Sequence, residues 1–172
     1  ENINIALSPN SSMSDAVIAL KQFLLPWNWF SWRYGANIAR LESEFRGYFD
    51  VPFAFALNSG REALFAILQA LDFKKNDEII LQSFTCMVVV NAIVWNGLKP
   101  VYTDINADDF NMDVKDLEKK ITGKTKAVMV QHTFGIPAKL NEIKTICKKH
   151  GLILIEDCAH TIGGKYKGEN LG

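Results

Sequence analysis

The sequence predicts an α/β fold, a mostly parallel sheet with helices on both faces. Three observations carry this expectation. The apolar pattern switches repeatedly between helical steps of three and four residues and short unbroken runs. The stretches between those runs are long enough for the helical crossovers that parallel strands require. With 48% apolar residues among 172, the chain also has the material for a real core.

Taken in order, Ile38, Leu41, Phe45 and Phe49 mark a first amphipathic helix. Residues 53–57 read as a short buried strand ended by a turn at Asn58-Ser59-Gly60, and residues 61–71 as the next helix. Residues 78–81 predict a strand and residues 85–95 a largely apolar helix, with Gly97 as its stop. A strand follows over 100–105. Asp113 then opens a helix to Ile121 as an acidic N-cap, with Val114, Leu117 and Ile121 on one face. Residues 126–131 form another strand, 139–150 a helix stopped by Gly151, and 152–155 a fully apolar strand. Gly163-Gly164-Lys165-Tyr166-Lys167-Gly168 reads as a short strand and turn. The sequence shows no internal repeat and no low-complexity linker.

Nineteen basic and nineteen acidic side chains cancel, so no overall field gathers nucleic acid or an anionic membrane. A bound phosphate therefore needs a local site. The apolar run over 17–30 is interrupted by Lys21, Gln22, Pro26 and Asn28, too short and too broken to span a bilayer, and it lacks the marks of a signal peptide. It reads as an arm that packs on the domain or on a partner subunit, with Trp27, Trp29 and Trp32 giving it interface character. Cys86, Cys147 and Cys158 have no CxxC spacing, so neither a disulfide framework nor a metal site is expected. They read as small core residues in a protein of the reducing cytoplasm. Both ends, Glu1 and Gly172, look like cuts.

Ligands of open α/β sheets bind outside the carboxyl ends of the strands, which directs attention to the residues after each strand. Ser59-Gly60-Arg61 joins a strand to a helix, where unpaired amides and the helix dipole favour an anion. Gly60 permits close backbone approach and Arg61 offers a charged fork, although the same turn alone also reads as a serine cap beside an exposed arginine. A lone glycine argues against a dinucleotide fingerprint. Asp157 ends the buried strand, where a carboxylate is costly unless a cation or donors meet it. A protonated pyridine nitrogen is such a partner, and a turn cap is the alternative. Phe84-Thr85-Cys86, His132 and His160 complete the set, each histidine reading as a ligand contact or as a satisfied structural residue.

In this order the chain resembles the DegT-type nucleotide-sugar aminotransferases, members of the fold type I pyridoxal-phosphate (PLP) enzymes. The resemblance runs from about residue 34 to 172. It rests on Gly35 with Leu41-Glu42, Ser59-Gly60-Arg61-Glu62-Ala63-Leu64, Asp77-Glu78-Ile79-Ile80, and the Gly97, Pro100 and Asp104 spacing. It continues through Lys124-Thr125-Lys126-Ala127, His132-Thr133-Phe134-Gly135 and Glu156-Asp157-Cys158-Ala159-His160, and ends in the 163–168 turn. The resemblance implies an arm over 1–34 with a possible dimer contact, then the first part of the PLP-binding large domain over 35–172, incomplete. It implies PLP as cofactor and no metal, with Ser59, Gly60, Arg61, Phe84, Cys86, Asp157 and His160 around it.

In that reading the Gly60-Arg61 turn holds the phosphate, Asp157 is the catalytic partner of the pyridine nitrogen, and His160 stands near the phenolic oxygen. Two departures matter: Arg61 replaces a threonine, and Cys86 stands where an aromatic residue usually stacks on the ring, leaving Phe84 to supply it. The Schiff-base lysine is expected beyond Gly172, after Lys165 and Lys167, so this chain alone is expected to be inactive. The implied reaction carries an amino group from an amino acid, glutamate foremost, to a keto group on a nucleotide-linked sugar, in a homodimer. Dehydration of a sugar or another PLP reaction, or a non-catalytic scaffold or regulator, are the alternatives.

Overall fold

The computed structural model describes residues 12–31 and 35–172. The chain divides into two units, Glu1–Ala56 and Leu57–Gly172. In the first, helix α1 (Met13–Leu24) starts at Ser12 with a reciprocal cap: the Ser12 hydroxyl accepts from the Asp15 amide, and the Asp15 carboxylate accepts from the Ser12 amide at 2.7 Å. A 3-10 segment, Pro26–Ser31, follows. Helix α2 (Ala36–Phe49) ends where Asp50 turns left-handed, at φ 54°. Neither helix contains a buried residue, and Phe23 and Trp27 are 68% and 69% exposed. Trp32, named in the sequence expectation, lies outside the described residues.

Residues 53–57 correct the expectation of a buried strand. They have no regular structure, and Phe53 and Phe55 are 72% and 79% exposed with their rings stacked at 6.5 Å. A strand is held by its ladder to a neighbour, and among the described residues no strand pairs with this run. The alternation that favours a strand here puts both phenylalanines on one side, where they contact each other.

The second unit is built on four parallel strands in the order β2-β1-β3-β4. Helix α3 (Gly60–Ala70) precedes β1 (Glu78–Gln82), and α4 (Met87–Trp95) leads to β2 (Lys99–Thr103). Helix α5 (Val114–Lys120) leads to β3 (Thr125–Gln131), and α6 (Leu140–His150) to β4 (Ile153–Asp157). Asp113 caps α5 as expected, its carboxylate accepting from the Asp116 amide at 2.8 Å. Gly97 and Gly151 end α4 and α6 at φ +72° and +65°, a conformation that glycine enters without a Cβ clash.

The expected fold class is the one observed. Strand side chains alternate between two cores: Ile79, Leu81, Ala127 and Met129 pack with Leu68 of α3 and Ile93 of α4. Ile80, Val128 and Val130 pack with Leu117 of α5 and Ile143 of α6 on the other face. The chain crosses from β1 outward to β2 and returns on the far side of β1 to β3, so the connection reverses between β1 and β3. The tail forms a small hairpin of β5 (Lys165–Tyr166) and β6 (Glu169–Asn170), turned by Lys167 and Gly168 at φ 52° and 92°.

Candidate active site

A cavity of about 610 Å³ opens at the carboxyl ends of the strands, inside the unit Leu57–Gly172. Its walls bring together Ser59, Gly60, Arg61, Cys86, Asp157 and His160, segments up to a hundred positions apart in the chain. That volume falls in the range of about 300–1,000 Å³ usual for sites of small organic ligands.

One wall is the start of α3. The Ser59 hydroxyl accepts from the Glu62 amide at 3.2 Å, and the Ser59 carbonyl accepts from the Ala63 amide at 3.0 Å. The amides of Gly60 and Arg61, the first two of the helix, are left without intrahelical acceptors. A Cβ added at Gly60 would meet nothing within 4 Å, so the glycine keeps open space beside those amides. The Arg61 guanidinium lies over the Trp95 ring at 5.8 Å. A second helix start adds to the wall: Cys86 is the N-cap of α4 but its side chain makes no capping bond. Cys86, Val88 and Val89 line the cavity, and two positive helix ends therefore converge on it. The exposed position of Cys86 corrects its expectation as a core residue; only Cys147 of the three is buried. A residue at a helix start on an open cavity has no second layer to cover it.

The end of β4 also lines the cavity. One oxygen of Asp157 accepts from the Ala159 amide at 3.0 Å, and the other makes no hydrogen bond among the described residues. His160 is exposed at the cavity edge and its ring lies parallel to that of Phe134, with centroids 6.3 Å apart. Phe84 is outside the lining and packs with Phe110 and Phe134 instead, at 5.7 and 6.0 Å.

His132 is settled by its surroundings as a structural residue. It is fully buried, its Nδ1 accepts from the Ala138 amide at 3.1 Å, and its Nε2 lies 3.3 Å from Glu156 Oε2. An accepting Nδ1 leaves the proton on Nε2, which donates to Glu156. That bond, with the Gly172 amide and the Lys144 ammonium 3.7 Å away, holds the Glu156 carboxyl below its ordinary range despite burial. Burial and the carboxylates of Glu156 and Asp157 push the Cys158 thiol up to about 11. His132, Glu156 and Cys158 place their ligand atoms within 4.8 Å of one another. Both ring nitrogens of His132 are engaged, Nδ1 by the Ala138 amide and Nε2 by Glu156, so His132 and Glu156 form a hydrogen-bonded support.

Three features escaped the sequence reading. The Glu156–His132 bond joins β4 to the residue that follows β3, and the α4 start adds a second helix end. Phe110 and Phe134 both carry left-handed backbone, at φ 57° and 53°, which costs bulky residues about 1–2 kcal/mol each. An aromatic among turn formers, Asp108-Asp109-Phe110-Asn111, is the one signal of this that the sequence holds.

Fold and site together define a doubly wound α/β protein in which an anion-attracting helix start and a carboxylate line one cavity. The chain belongs to the DegT/DnrJ/EryC1/StrS aminotransferase family, whose model matches residues 15–172. It is 38% identical over 138 residues to a GDP-perosamine synthase of Escherichia coli O157:H7, covering 80% of this chain and 38% of that protein. Among solved structures it is similar to the aminotransferase from Psychrobacter cryohalolentis, with 30% identity and a TM-score of 0.86 over 95% of this chain and 41% of the other. It is also similar to NtdA from Bacillus subtilis with bound cofactor PMP, with 29% identity and a TM-score of 0.73 over 75% and 30%. The chain spans well under half the length of the curated relatives it matches.

Proposed function

We propose that the whole protein is a PLP-dependent aminotransferase that moves an amino group from an amino acid, glutamate foremost, to a keto group on a nucleotide-linked sugar. The observation that carries the reading is that the helix start at Gly60 and Arg61 and the Asp157 carboxylate line one cavity. A phosphorylated pyridine has both complements, an anion at one end and a basic ring nitrogen at the other. The residues present fit that group: open space at Gly60, free helix-start amides, and an Asp157 oxygen with no other bond among the described residues.

PLP, when bound, supplies an electron sink for breaking a bond next to the amino nitrogen. This chain's residues hold and tune it. The amides of Gly60 and Arg61, reinforced by the α3 dipole, bind the phosphate. Asp157 keeps a proton on the ring nitrogen, and the Ala159 amide fixes the carboxylate that does so. His160 closes the cavity edge. No lysine lines the cavity, which supports a reacting amine other than Lys165 or Lys167. The apolar surface of α1 and the following segment, including Phe23, Leu24 and Trp27, supports the arm over 1–34 as a contact with a second subunit. Among the described residues no helix is long and apolar enough to cross a membrane.

The test uses the full-length protein. It takes up PLP with a visible absorption band that borohydride removes, and Asp157→Asn keeps the fold while losing roughly 10²–10³ in kcat, the scale of removing one preorganised electrostatic group. A protein that stays colourless in added PLP overturns the reading. Near wild-type turnover in Asp157→Asn returns Asp157 to the role of a turn cap.

A further inference from the structure

We infer that Phe84, Phe110 and Phe134 form a stacking ledge for the heterocyclic base of the nucleotide-linked substrate, one ring beyond the PLP cavity. The inference rests on the aminotransferase reading above and extends it to a part of the surface that the cofactor does not use. The three rings touch one another at centroid distances of 5.7, 6.0 and 6.2 Å, yet they are 45%, 42% and 65% exposed. Clustered phenylalanines normally bury themselves; these are held in the open.

The holding is built from below. The buried Gln82 amide nitrogen donates to the Thr133 hydroxyl at 2.8 Å, and its second hydrogen is shared between the carbonyls of Phe84 and Phe110, both at 3.2 Å. Thr133 passes its own hydroxyl proton to the Phe110 carbonyl at 3.1 Å. Buried Asn111 accepts from the Thr133 amide at 2.9 Å and donates to the Ile136 carbonyl at 3.0 Å. One amide thus fixes the backbone of two ledge residues and the neighbour of the third. The arrangement is kept at a cost: Phe110 and Phe134 are left-handed, and the Gln82 side-chain oxygen is buried without a partner. Strain and an orphaned oxygen beneath three exposed rings mark a surface that touches something.

Continuity with the cavity says what. His160 lines the cavity and lies parallel to Phe134, so the ledge begins where the cavity ends. Gly135, at φ +82°, allows this contact: a Cβ there would sit 3.2 Å from the His160 carbonyl. A substrate reacting in the cavity and extending past His160 meets these rings first. Apart from the buried Gln82 oxygen, the polar groups under the rings are bonded to one another, so the ledge offers chiefly π faces. A hexose is recognised through its hydroxyls and a diphosphate through cations, whereas a planar base stacks on any aromatic face. The same reasoning makes the contact tolerant of which base is present.

The experiment measures dissociation constants of GDP, UDP and dTDP for the full-length, PLP-loaded protein and for Phe134→Leu and Phe134→Tyr. The expected result is binding of the diphosphates by the wild type, roughly tenfold weaker in Phe134→Leu and retained in Phe134→Tyr, the scale of one base-stacking contact. Equal affinity in Phe134→Leu overturns the ledge. So does a glucose 1-phosphate affinity that falls in parallel in Phe134→Leu, which would assign the rings to the sugar. Loss of a dimer in Phe134→Leu, read by light scattering, also overturns it by assigning the rings to a second copy of the chain. Failure of the wild type to take up PLP is a different result and counts against the aminotransferase reading itself.

Discussion

Replacing His132 by leucine tests whether the histidine is a support or part of the chemistry. Leucine fills most of the vacated volume, so the cavity contribution is small. Two bonds are lost. The buried Ala138 amide forfeits its acceptor at Nδ1, which costs about 1–3 kcal/mol for a donor left unsatisfied. Glu156, whose side chain is 13% exposed, loses the Nε2–H bond, about 1.5 kcal/mol at the low end for a charged acceptor because the contact is long and Gly172 and Lys144 remain. The expected loss is about 3 kcal/mol in urea unfolding, with an unchanged m-value. A pH series supplies the second half of the test. The Glu156 carboxyl is depressed in the folded chain, so it contributes stability above its unfolded value, and that contribution disappears as pH falls through the folded value. In His132→Leu the depression shrinks, and the variant loses less stability than the wild type between neutral pH and the acid side of the carboxylate range. A cost below about 1 kcal/mol, or an identical acid limb, would refute the assignment.

Two further outcomes are expected. Native-state alkylation labels Cys86 first, because it is exposed, while Cys147 and Cys158, whose thiols burial pushes up to about 11, react slowly; added PLP protects Cys86, and equal labelling of all three by peptide mapping would contradict the cavity wall described. Ser59→Ala removes the cap of α3 and lowers stability by about 1 kcal/mol in denaturant melts, with PLP affinity falling in the full-length protein; an affinity change without a stability change would mean that the hydroxyl serves the ligand alone.

The legible parts of this fold are those written in local patterns. Apolar runs flanked by caps located β1 to β4 within a residue or two, because Ile79, Val128 and Leu154 sit in sheets covered on both faces. Asp113, Gly97 and Gly151 announced helix ends through conformations that few residues favour. The run 53–57 misled for the complementary reason: its strand-like composition is local, but a strand exists only with a partner, and pairing is a property of the whole chain. Ser59, Gly60, Arg61, Asp157 and His160 were readable as candidates because each follows or precedes an element, and the fold then brought them to one cavity. The role of His132 was not readable, since Ala138 and Glu156 define it from a loop and a neighbouring strand. The Gln82 hub was equally hidden, its partners lying 28 and 51 positions away.

Leu171 has a consequence for how the protein is made. It is 1% exposed and completes the core formed by Leu117, Ile143 and Val130. The hairpin delivers it there: the Leu171 amide bonds to the Gly164 carbonyl at 2.9 Å, and Gly164 is so close to Thr161 that a side chain would collide with its hydroxyl. On the ribosome, Leu117 emerges about fifty residues before Leu171, an interval of roughly 3–11 s at ordinary rates of synthesis. Through those seconds the α5 and α6 side of the sheet lacks Leu171, and the nascent chain offers that opening to chaperones and to other unfinished chains.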